Sequence, residues 1–324
     1  MKVFEKISVG NKPSLKRPKK EKLRITRMER RALPFYIALM AIPVLQFIIF
    51  YVGVNFNSIL MAFQSYNTST GETTATLDNF RRIKAEFIDH SMWIYLGNSI
   101  LAYAIGIFFM PITLFFSYYI YKKFPLHGFF KVILFLPSII SGMVLSVIFA
   151  KIIDNWLPTF IWSLRDYQGT RPESLMAQGS PTVLPTLLFF SVFNGFGGGM
   201  LMYSGAMSQV PDSVVEAAQI DGANTFQEFF HVILPSIYPT LTTFLVAGIA
   251  GIFTNQLALF NFFGPNAPLE YRTLGYYIFK LVAAGATKNE YNYAAAIGLA
   301  STVILVPLTF LIKYLLERFG PREE

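Results

Sequence analysis

Residues 210–235, with the sequence VPDSVVEAAQIDGANTFQEFFHVILP, lie between two long apolar segments of the chain. Pro211 suits the first position of a helix, where a missing N–H costs nothing, and the residues up to Gln219 contain no glycine or second proline. Asp221-Gly222 then breaks that helix. The stretch therefore predicts a short helix followed by a sharp turn, a pattern that an ordinary linker between two membrane helices would also show.

A second helix is predicted to begin at Thr225, because Thr225 and Glu228 have the three-residue spacing of a capping box. Pro235 is expected to end this helix and to open the next apolar segment. Phe226 and Phe229 lie on the helix, and exposed phenylalanine side chains favour aggregation unless a partner covers them. We therefore expect a partner surface on this segment.

The composition is that of a membrane protein. Hydrophobic residues make up 53% of the 324 residues and charged residues only 14%, whereas charged residues approach about a quarter of a soluble domain. The absence of cysteine excludes disulfides, thiol catalysis and cysteine-ligated metals. The three histidines, at positions 90, 127 and 231, are far apart in sequence, so no histidine metal site is expected.

The positive charge of the chain is concentrated at its beginning. Residues 1–31 carry twelve Lys/Arg against three Asp/Glu, whereas the rest of the chain has fifteen against sixteen. The positive-inside rule predicts that this basic tail lies in the cytoplasm, where it can also bind anionic lipid headgroups. Nothing in the sequence supports nucleic-acid binding. The apolar run after the tail is long enough to span a membrane, so a cleaved signal peptide is not expected.

Six apolar segments approach or exceed the roughly 20 residues that cross a bilayer, which predicts an all-α polytopic membrane protein. The predicted spans are residues 33–54, 94–121, 132–150, 183–203, 238–260 and 294–314. Polar stretches 64–92 and 151–180 are predicted to be outer loops, and a short outer helix is expected over 271–281. An extra or re-entrant helix remains an alternative to the count of six.

The orientation follows from positive charge near the second span. Lys122, Lys123 and Lys131 follow that span and predict that its end is cytoplasmic. Counting turns from there places the loop of residues 204–235 and both chain termini in the cytoplasm. The loop itself contains no Lys or Arg, so its location depends on the other segments.

The identities within this loop resemble a known motif. Glu216-Ala217-Ala218 and then Asp221-Gly222-Ala223 stand at the offsets of the EAA loop in permease subunits of binding-protein-dependent ABC importers, and Leu234-Pro235 matches the end of that motif. The full Glu-Ala-Ala-x-x-Asp-Gly-Ala form resembles the carbohydrate-uptake branch, with Val232 where isoleucine is usual. We call residues 204–235 the EAA loop. The resemblance covers about residues 35–316 and implies a type I permease fold over 32–324.

The resemblance implies that the EAA loop docks on a cytoplasmic ATPase and couples ATP hydrolysis to transport. Alanines allow close approach of two backbones, and the acidic side chains are expected to meet basic groups on the ATPase. The implied coupling residues are Glu216, Ala217, Ala218, Asp221, Gly222, Ala223, Phe226, Phe229, Leu234 and Pro235.

The resemblance also implies the partners of the chain: a second permease subunit in a heterodimer, two ATPase subunits and an extracytoplasmic solute-binding protein, in the plasma membrane of a prokaryote. The sequence lacks GxxxxGK[ST], so ATP and Mg are expected on the ATPase partner, and no cofactor, metal or catalytic residue is assigned to this chain.

Uncharged amide side chains in and near the spans mark a possible sugar path. They are Asn98, Asn194, Asn255, Gln256 and Asn261. Amides and aromatic faces suit hydroxyl-rich ligands, although hydrogen bonds between helices would explain the same residues. The glycines at 195 and 197–199 are interpreted as helix-packing positions, because GxGxxG spacing fails at Met200. An ion-coupled secondary transporter is the alternative function, followed by a membrane scaffold or enzyme.

Overall fold

The computed structural model describes residues 27–67, 70–177, 179–284 and 287–321. Most of the basic tail, residues 1–26, lies outside the described residues. The chain divides into two compact units, Met1–Phe56 and Asn57–Glu324.

The first predicted span corresponds to a long apolar helix. Helix α1 (Arg27–Gln46) continues through a π-helical segment, Phe47–Gly53, into α2 (Val54–Ala62). The 29 residues Pro34–Ala62 are long and apolar enough to cross a membrane, and none of the side chains in their most apolar stretch is buried.

The second unit consists mainly of helices, with one β-hairpin of β1 (Gln64–Tyr66) and β2 (Thr73–Ala75). The helices in chain order are α3 (Asp78–Ile88), α4 (Ser91–Tyr121), α5 (His127–Ile139), α6 (Gly142–Lys151), α7 (Leu157–Ser163), α8 (Val183–Met207), α9 (Asp212–Ile220), α10 (Thr225–Glu228), α11 (Leu234–Ser236), α12 (Tyr238–Ala250), α13 (Leu259–Phe263), α14 (Leu274–Ala283) and α15 (Lys288–Phe319). π-Helical segments Ile152–Trp156 and Phe229–Ile233 join α6 to α7 and α10 to α11, and 3-10 turns occur at Ile252–Thr254, Gly264–Asn266 and Leu269–Tyr271.

The number of spans agrees with an all-α polytopic fold of about six. Within the described ranges, five helices are long and apolar enough to cross a membrane: Pro34–Ala62, Ser91–Tyr121, Gly142–Ser163, Val183–Met207 and Lys288–Phe319. A sixth is counted only if Thr225–Ser236 and Tyr238–Ala250, bent by 65° to each other, are taken as one broken span. The second, fourth and sixth predicted spans are confirmed, with ends that differ by a few residues.

The third predicted span, 132–150, is wrong as a single helix. The chain breaks at Ile140, which is extended with ψ 140°, and a new helix starts at Gly142 and runs to Ser163. Pro137 lacks an N–H and Gly142 is a poor helix former, so the hydrogen-bond ladder is weak between them. The first residues of the predicted outer loop 151–180 are consequently helical.

The fifth predicted span, 238–260, ends too late. Helix α12 stops at Ala250, and after a 3-10 turn Asn255 is extended with ψ 122°. The segment packs tightly on α14, because a Cβ on Gly275 would lie 2.5 Å from the carbonyl carbon of Thr254. The Thr273 hydroxyl also donates a 2.6 Å hydrogen bond to the Asn255 carbonyl. These contacts with α14 replace helical hydrogen bonds.

The predicted outer loop 64–92 contains regular structure that the sequence did not predict. Strands β1 and β2 pair with Ser65 opposite Thr74, and α3 follows them. Asn289 of α15 secures the hairpin, because its amide donates to the Tyr66 carbonyl at 2.8 Å and accepts from the Tyr66 N–H at 2.7 Å. The predicted short outer helix over 271–281 is present as α14.

Only one of the glycines in α8 is at a tight contact between helices. A Cβ on Gly197 would lie 2.2 Å from the Leu134 carbonyl oxygen and 2.7 Å from the Phe135 Cα of α5. A Cβ on Gly195 or Gly198 would meet no heavy atom within 4 Å. The helix-packing interpretation therefore holds for Gly197.

The EAA loop and the ends of α4 and α15 lie at the same end of the second unit. Lys122 contacts Glu228, and the Tyr238 hydroxyl donates to the Leu316 carbonyl at 2.9 Å. An apolar cluster underlies this end, formed by Leu114, Tyr118, Met207, Val210, Val215, Phe229, Ile233, Ile237 and Leu241.

Candidate functional site

The first helix of the EAA loop is α9. It begins at Asp212, so Pro211, with φ −59° and ψ 132°, precedes the helix and is not its first residue. Val215 is the buried side chain of α9 and joins the apolar cluster beneath it. Glu216 and Ala217 are exposed, so they are accessible to a partner as the motif requires.

The turn after α9 depends on a left-handed glycine. Gly222 has φ +84°, which side chains rarely adopt, while the space around its Cα is open. The N–H groups of Asp221 and Ala223 donate to the carbonyls of Ala217 and Ala218, closing the helix end. Backbone conformation, and not lack of space within the chain, therefore requires glycine at this position.

The predicted capping box of Thr225 and Glu228 is wrong by one residue. Asn224 is the N-cap of α10: its side chain accepts from the Gln227 N–H, and the Gln227 side chain accepts from the Asn224 N–H, both at 2.9 Å. Asparagine is a strong N-cap residue and glutamine is accepted at the third position, so both spacings fitted the motif. The Glu228 side chain therefore takes no part in the cap and can make other contacts.

The Glu228 carboxylate lies at the centre of a buried polar cluster. Its side chain is only 3% exposed and forms a 2.9 Å ion pair with Lys122. The Tyr118 hydroxyl donates to Oε1 and the Gln219 amide to Oε2, each at 3.0 Å. We define Glu228, Lys122, Tyr118 and Gln219 as the Glu228 cluster, which joins α4, α9 and α10.

The cluster favours the charged form of the carboxylate. Burial raises the pKa of Glu228, but the hydrogen bonds from Gln219, Lys122 and Tyr118 outweigh it, so the pKa lies below the usual glutamate value. A buried charge with several donors is stable only while they stay in place. The sequence pattern did not indicate this role, because it placed Glu228 in a capping box and Lys122 among the positive charges that predict topology.

The phenylalanines of α10 and its continuation have different environments. Phe229 was predicted to be exposed, but it is 2% exposed and contacts the rings of Phe115 and Tyr118 at centroid distances of 4.9 and 5.0 Å. It therefore anchors the loop to α4. Phe226 is 69% exposed, as expected for a docking residue.

Further exposed apolar side chains extend this surface beyond the residues that the motif identifies. Ile220 is 86% exposed, and Val214 and Phe230 are about half exposed. Ile220 stands immediately before the Asp-Gly turn, and this position was the feature of the sequence that could have indicated its exposure. With Phe226, these three residues are the exposed large apolar side chains of the loop.

The end of the EAA loop is helical through Pro235. Pro235 was expected to end the second helix, but α11 includes it and the 65° bend falls at Ile237, with φ −93° and ψ 2°. Pro235 has no N–H to donate to the helix before it. The preceding segment, Phe229–Ile233, is π-helical, and this wider turn lets the helix continue past the missing hydrogen bond. Leu234 and Pro235 are half-buried, and Leu234 packs on the apolar cluster.

A cavity of about 400 Å³ lies among α4, α8 and α12. Its lining combines aromatic rings with hydroxyl and amide groups: Ser99, Tyr103, Phe109, Thr113, Ser191, Phe196, Tyr203 and Asn255, with glycines and aliphatic residues between them. Such a lining suits a polar ligand with apolar faces.

Of the five candidate amides, Asn255 lines this cavity. Its side chain accepts from the Leu257 N–H at 2.9 Å. Asn98 holds the segment before α14, because its amide donates to the carbonyls of Glu270 and Arg272 at 2.8 and 3.0 Å. The Asn261 amide donates weakly to Ser146 at 3.4 Å, while Asn194 and Gln256 are half-buried.

No group of three or more His, Asp or Glu side chains in the described segments is arranged to hold a metal ion.

A protein-family comparison decides what kind of subunit carries this loop. The model of the binding-protein-dependent transport system inner membrane component matches residues 121–323. The chain belongs to this family. It is a multi-pass membrane permease subunit, and the match includes the EAA loop, α8, α12 and α15.

Individual relatives agree with this assignment. The arabinooligosaccharides transport system permease protein AraP of Bacillus subtilis is 25% identical over 272 residues, covering 83% of this chain and 84% of that protein. The multiple sugar-binding transport system permease protein MsmF of Streptococcus mutans is 28% identical over 181 residues, covering 55% of this chain and 59% of the other.

Solved structures show the same fold. A chain of a bacterial ABC transporter involved in the import of the acidic polysaccharide alginate superposes with a TM-score of 0.69 at 18% identity, over 90% of this chain and 97% of that chain. The same class of transporter in complex with its alginate pentasaccharide-bound periplasmic protein gives a TM-score of 0.70 at 19% identity, over 89% and 96%.

Proposed function

We propose that this permease subunit imports a sugar or oligosaccharide that an extracytoplasmic solute-binding protein delivers. The relatives named for arabinooligosaccharides and for multiple sugars support the substrate class. The lining of the 400 Å³ cavity supports it too, because aromatic rings beside hydroxyl and amide groups match the two kinds of surface on a sugar.

The observation that carries the proposal is the geometry of the EAA loop. The loop presents Glu216, Phe226 and Ile220 outward at one end of the helices, while Phe229 and the Glu228 cluster hold it to α4. Exposed apolar side chains on the same loop as an exposed acidic one suit a protein partner with an apolar cleft and a basic rim. We propose that this partner is the cytoplasmic ATPase, which binds the ATP and Mg.

The complete importer contains a second permease subunit as a heterodimer, two ATPase subunits and the solute-binding protein. The N- and C-termini and the EAA loop lie in the cytoplasm, on the side of Lys122, Lys123 and Lys131. ATP-driven closure of the ATPases brings the two EAA loops together, and this movement opens the cavity to the outside. Sugar entering the cavity meets Asn255 and the surrounding aromatic rings.

Uptake by membrane vesicles tests the proposal against an ion-coupled transporter. The assay uses vesicles that contain the full complex, a radiolabelled arabino-oligosaccharide with its binding protein outside, and ATP on the side of the EAA loop. We expect uptake that requires ATP and the binding protein and persists when an ionophore removes the ion gradients. Uptake that depends on a gradient and continues without ATP would overturn the proposal.

The role of Asn255 in sugar uptake can be tested separately, with a control variant at an exposed amide. Replacing Asn255 with alanine removes an amide from the cavity wall, and we expect a raised KM for uptake. Replacing Gln168, an exposed amide of the outer segment, should leave uptake unchanged. Equal uptake by both variants would remove Asn255 from the sugar path.

A further inference from the structure

The cavity has three helical walls, and the EAA loop is connected to them in different ways. The walls are α4, α8 and α12. The main chain joins the loop directly to two of them, because α8 ends at Met207 and α12 begins at Tyr238. Helix α4 ends at Tyr121, far from the loop in sequence, and meets it through side chains.

The Glu228 cluster is the larger polar part of this connection, and the Tyr118 hydroxyl also reaches the Thr225 carbonyl of α10 at 3.2 Å. Tyr118 and Lys122 are four residues apart, so they lie on the same face of α4 and reach the same carboxylate. Gln219 reaches it from α9 at 3.0 Å. A carboxylate that is 3% exposed strongly opposes separation from its donors, since a lost partner leaves buried charge unpaired.

The apolar part of the connection is less directional. Phe229 packs against Phe115 and Tyr118, and such contacts persist when one surface slides over another. Hydrogen bonds fix both distance and direction, because they weaken steeply away from a straight geometry. The carboxylate accepts from both polar side chains of the α4 end and from Gln219, so it is the strongest directional link between α4 and the loop.

We propose that Glu228 is a positioning residue that makes α4 follow the EAA loop, so that movement of α9 reaches the third wall of the cavity. The proposal rests on the proposed function, because the ATPase supplies the movement. Glu228 does not line the cavity and its side chain is buried, so it acts through Tyr118 and Lys122.

Spin labels test the proposal in the complete complex that co-purifies with the tagged chain. The chain contains no cysteine, so introduced cysteines are its only labelled sites. One label pair, Ser213→Cys with Lys84→Cys, reports the position of the EAA loop relative to α3. A second pair, Lys123→Cys with Lys84→Cys, reports the inner end of α4. All three positions are exposed.

ATP with vanadate should shift both label distances in the otherwise unchanged chain. In Glu228→Gln, we expect the Ser213 distance to shift as before and the shift of the Lys123 distance to be lost. The matched control Glu317→Gln alters an exposed glutamate with a loose 3.7 Å partner and should behave like the unchanged chain. The swap of Glu228→Lys with Lys122→Glu should restore the lost shift.

The outcomes separate this proposal from the function on which it rests. If the Lys123 distance still shifts in Glu228→Gln, α4 follows the loop without the carboxylate and the proposal is overturned. If Glu228→Gln prevents assembly, Lys122→Met, which keeps an unbranched apolar side chain and removes the 2.9 Å ion pair, decides in the same way. If neither distance shifts in the unchanged complex, the ATPase does not drive the loop and the proposed function fails as well.

Discussion

A single methyl group at Gly197 should separate α5 from α8. A Cβ there would lie 2.2 Å from the Leu134 carbonyl oxygen and 2.7 Å from the Phe135 Cα, and these obstructing atoms belong to the backbone of α5. Ordinary heavy-atom contacts begin at about 3.5 Å, so the two helices must move apart by roughly 1 Å. The Gly197→Ala change should therefore destabilise the packing of the fourth span.

The matched control is Gly198→Ala, because a Cβ on Gly198 meets no heavy atom within 4 Å. Both changes gain the same helix propensity, up to about 1 kcal/mol, so this term cancels when the two variants are compared. Their difference is the cost of overpacking, about 1–3 kcal/mol, and we expect the upper half of that range since backbone cannot change rotamer.

Thermal inactivation of the purified chain in detergent measures the difference. Membrane proteins commonly inactivate irreversibly, so both variants are heated at the same rate and compared by the fraction that remains monodisperse. For a large domain each kcal/mol corresponds to about 2–4 °C, so Gly197→Ala should lose its structure several degrees below Gly198→Ala. Equal thermal stability of the two variants would refute the close contact between α5 and α8.

Three further predictions concern the EAA loop. Asn224→Ala should destabilise α10 by about 1 kcal/mol and speed amide exchange over residues 225–228, because Asn224 is the N-cap. Thr225→Ala should have neither effect. A larger effect of Thr225→Ala than of Asn224→Ala would instead support the capping box of Thr225 and Glu228. Gly222→Asn should retain more transport than Gly222→Val, since a β-branched residue at φ +84° costs about 1–2 kcal/mol more than asparagine does. Equal loss of transport in both variants would mean that a partner excludes any side chain at this position. Because the folded pKa of Glu228 is lowered, its stabilisation is present above the ordinary value of 4.5 and is lost as the pH falls below it. The protection of the loop amides, measured as exchange relative to the intrinsic rate at each pH, should therefore fall at low pH, and Glu228→Gln should remove that part of the pH dependence.

The sequence predicted best where one local feature determines the structure. Long apolar runs predicted α4, α8 and α15, and the Asp221-Gly222 pair predicted the turn that φ +84° confirms. These features depend on hydrophobic length or on the backbone freedom of one residue. They do not require knowledge of which segments meet.

The errors arose where distant segments decide the outcome. Asn255 leaves the helix because Thr273 and Gly275, some twenty residues later, hold its segment against α14. Glu228 and Lys122 are more than a hundred residues apart, so their ion pair was not visible in the local pattern. The capping box failed for a different reason, since two overlapping spacings fitted the same motif.

Co-purification tests the central claim, that the EAA loop docks on an ATPase, most directly. The tagged chain is isolated in mild detergent and compared with Glu216→Lys, which reverses an exposed charge on α9, and with Glu317→Lys, which makes the same change on α15. The account predicts that an ATPase with a P-loop and a second permease accompany the unchanged chain and the Glu317 variant, and that Glu216→Lys loses the ATPase while retaining the second permease. A chain isolated without an ATPase, or an ATPase that remains bound to Glu216→Lys, would contradict the assignment of this loop as the coupling site.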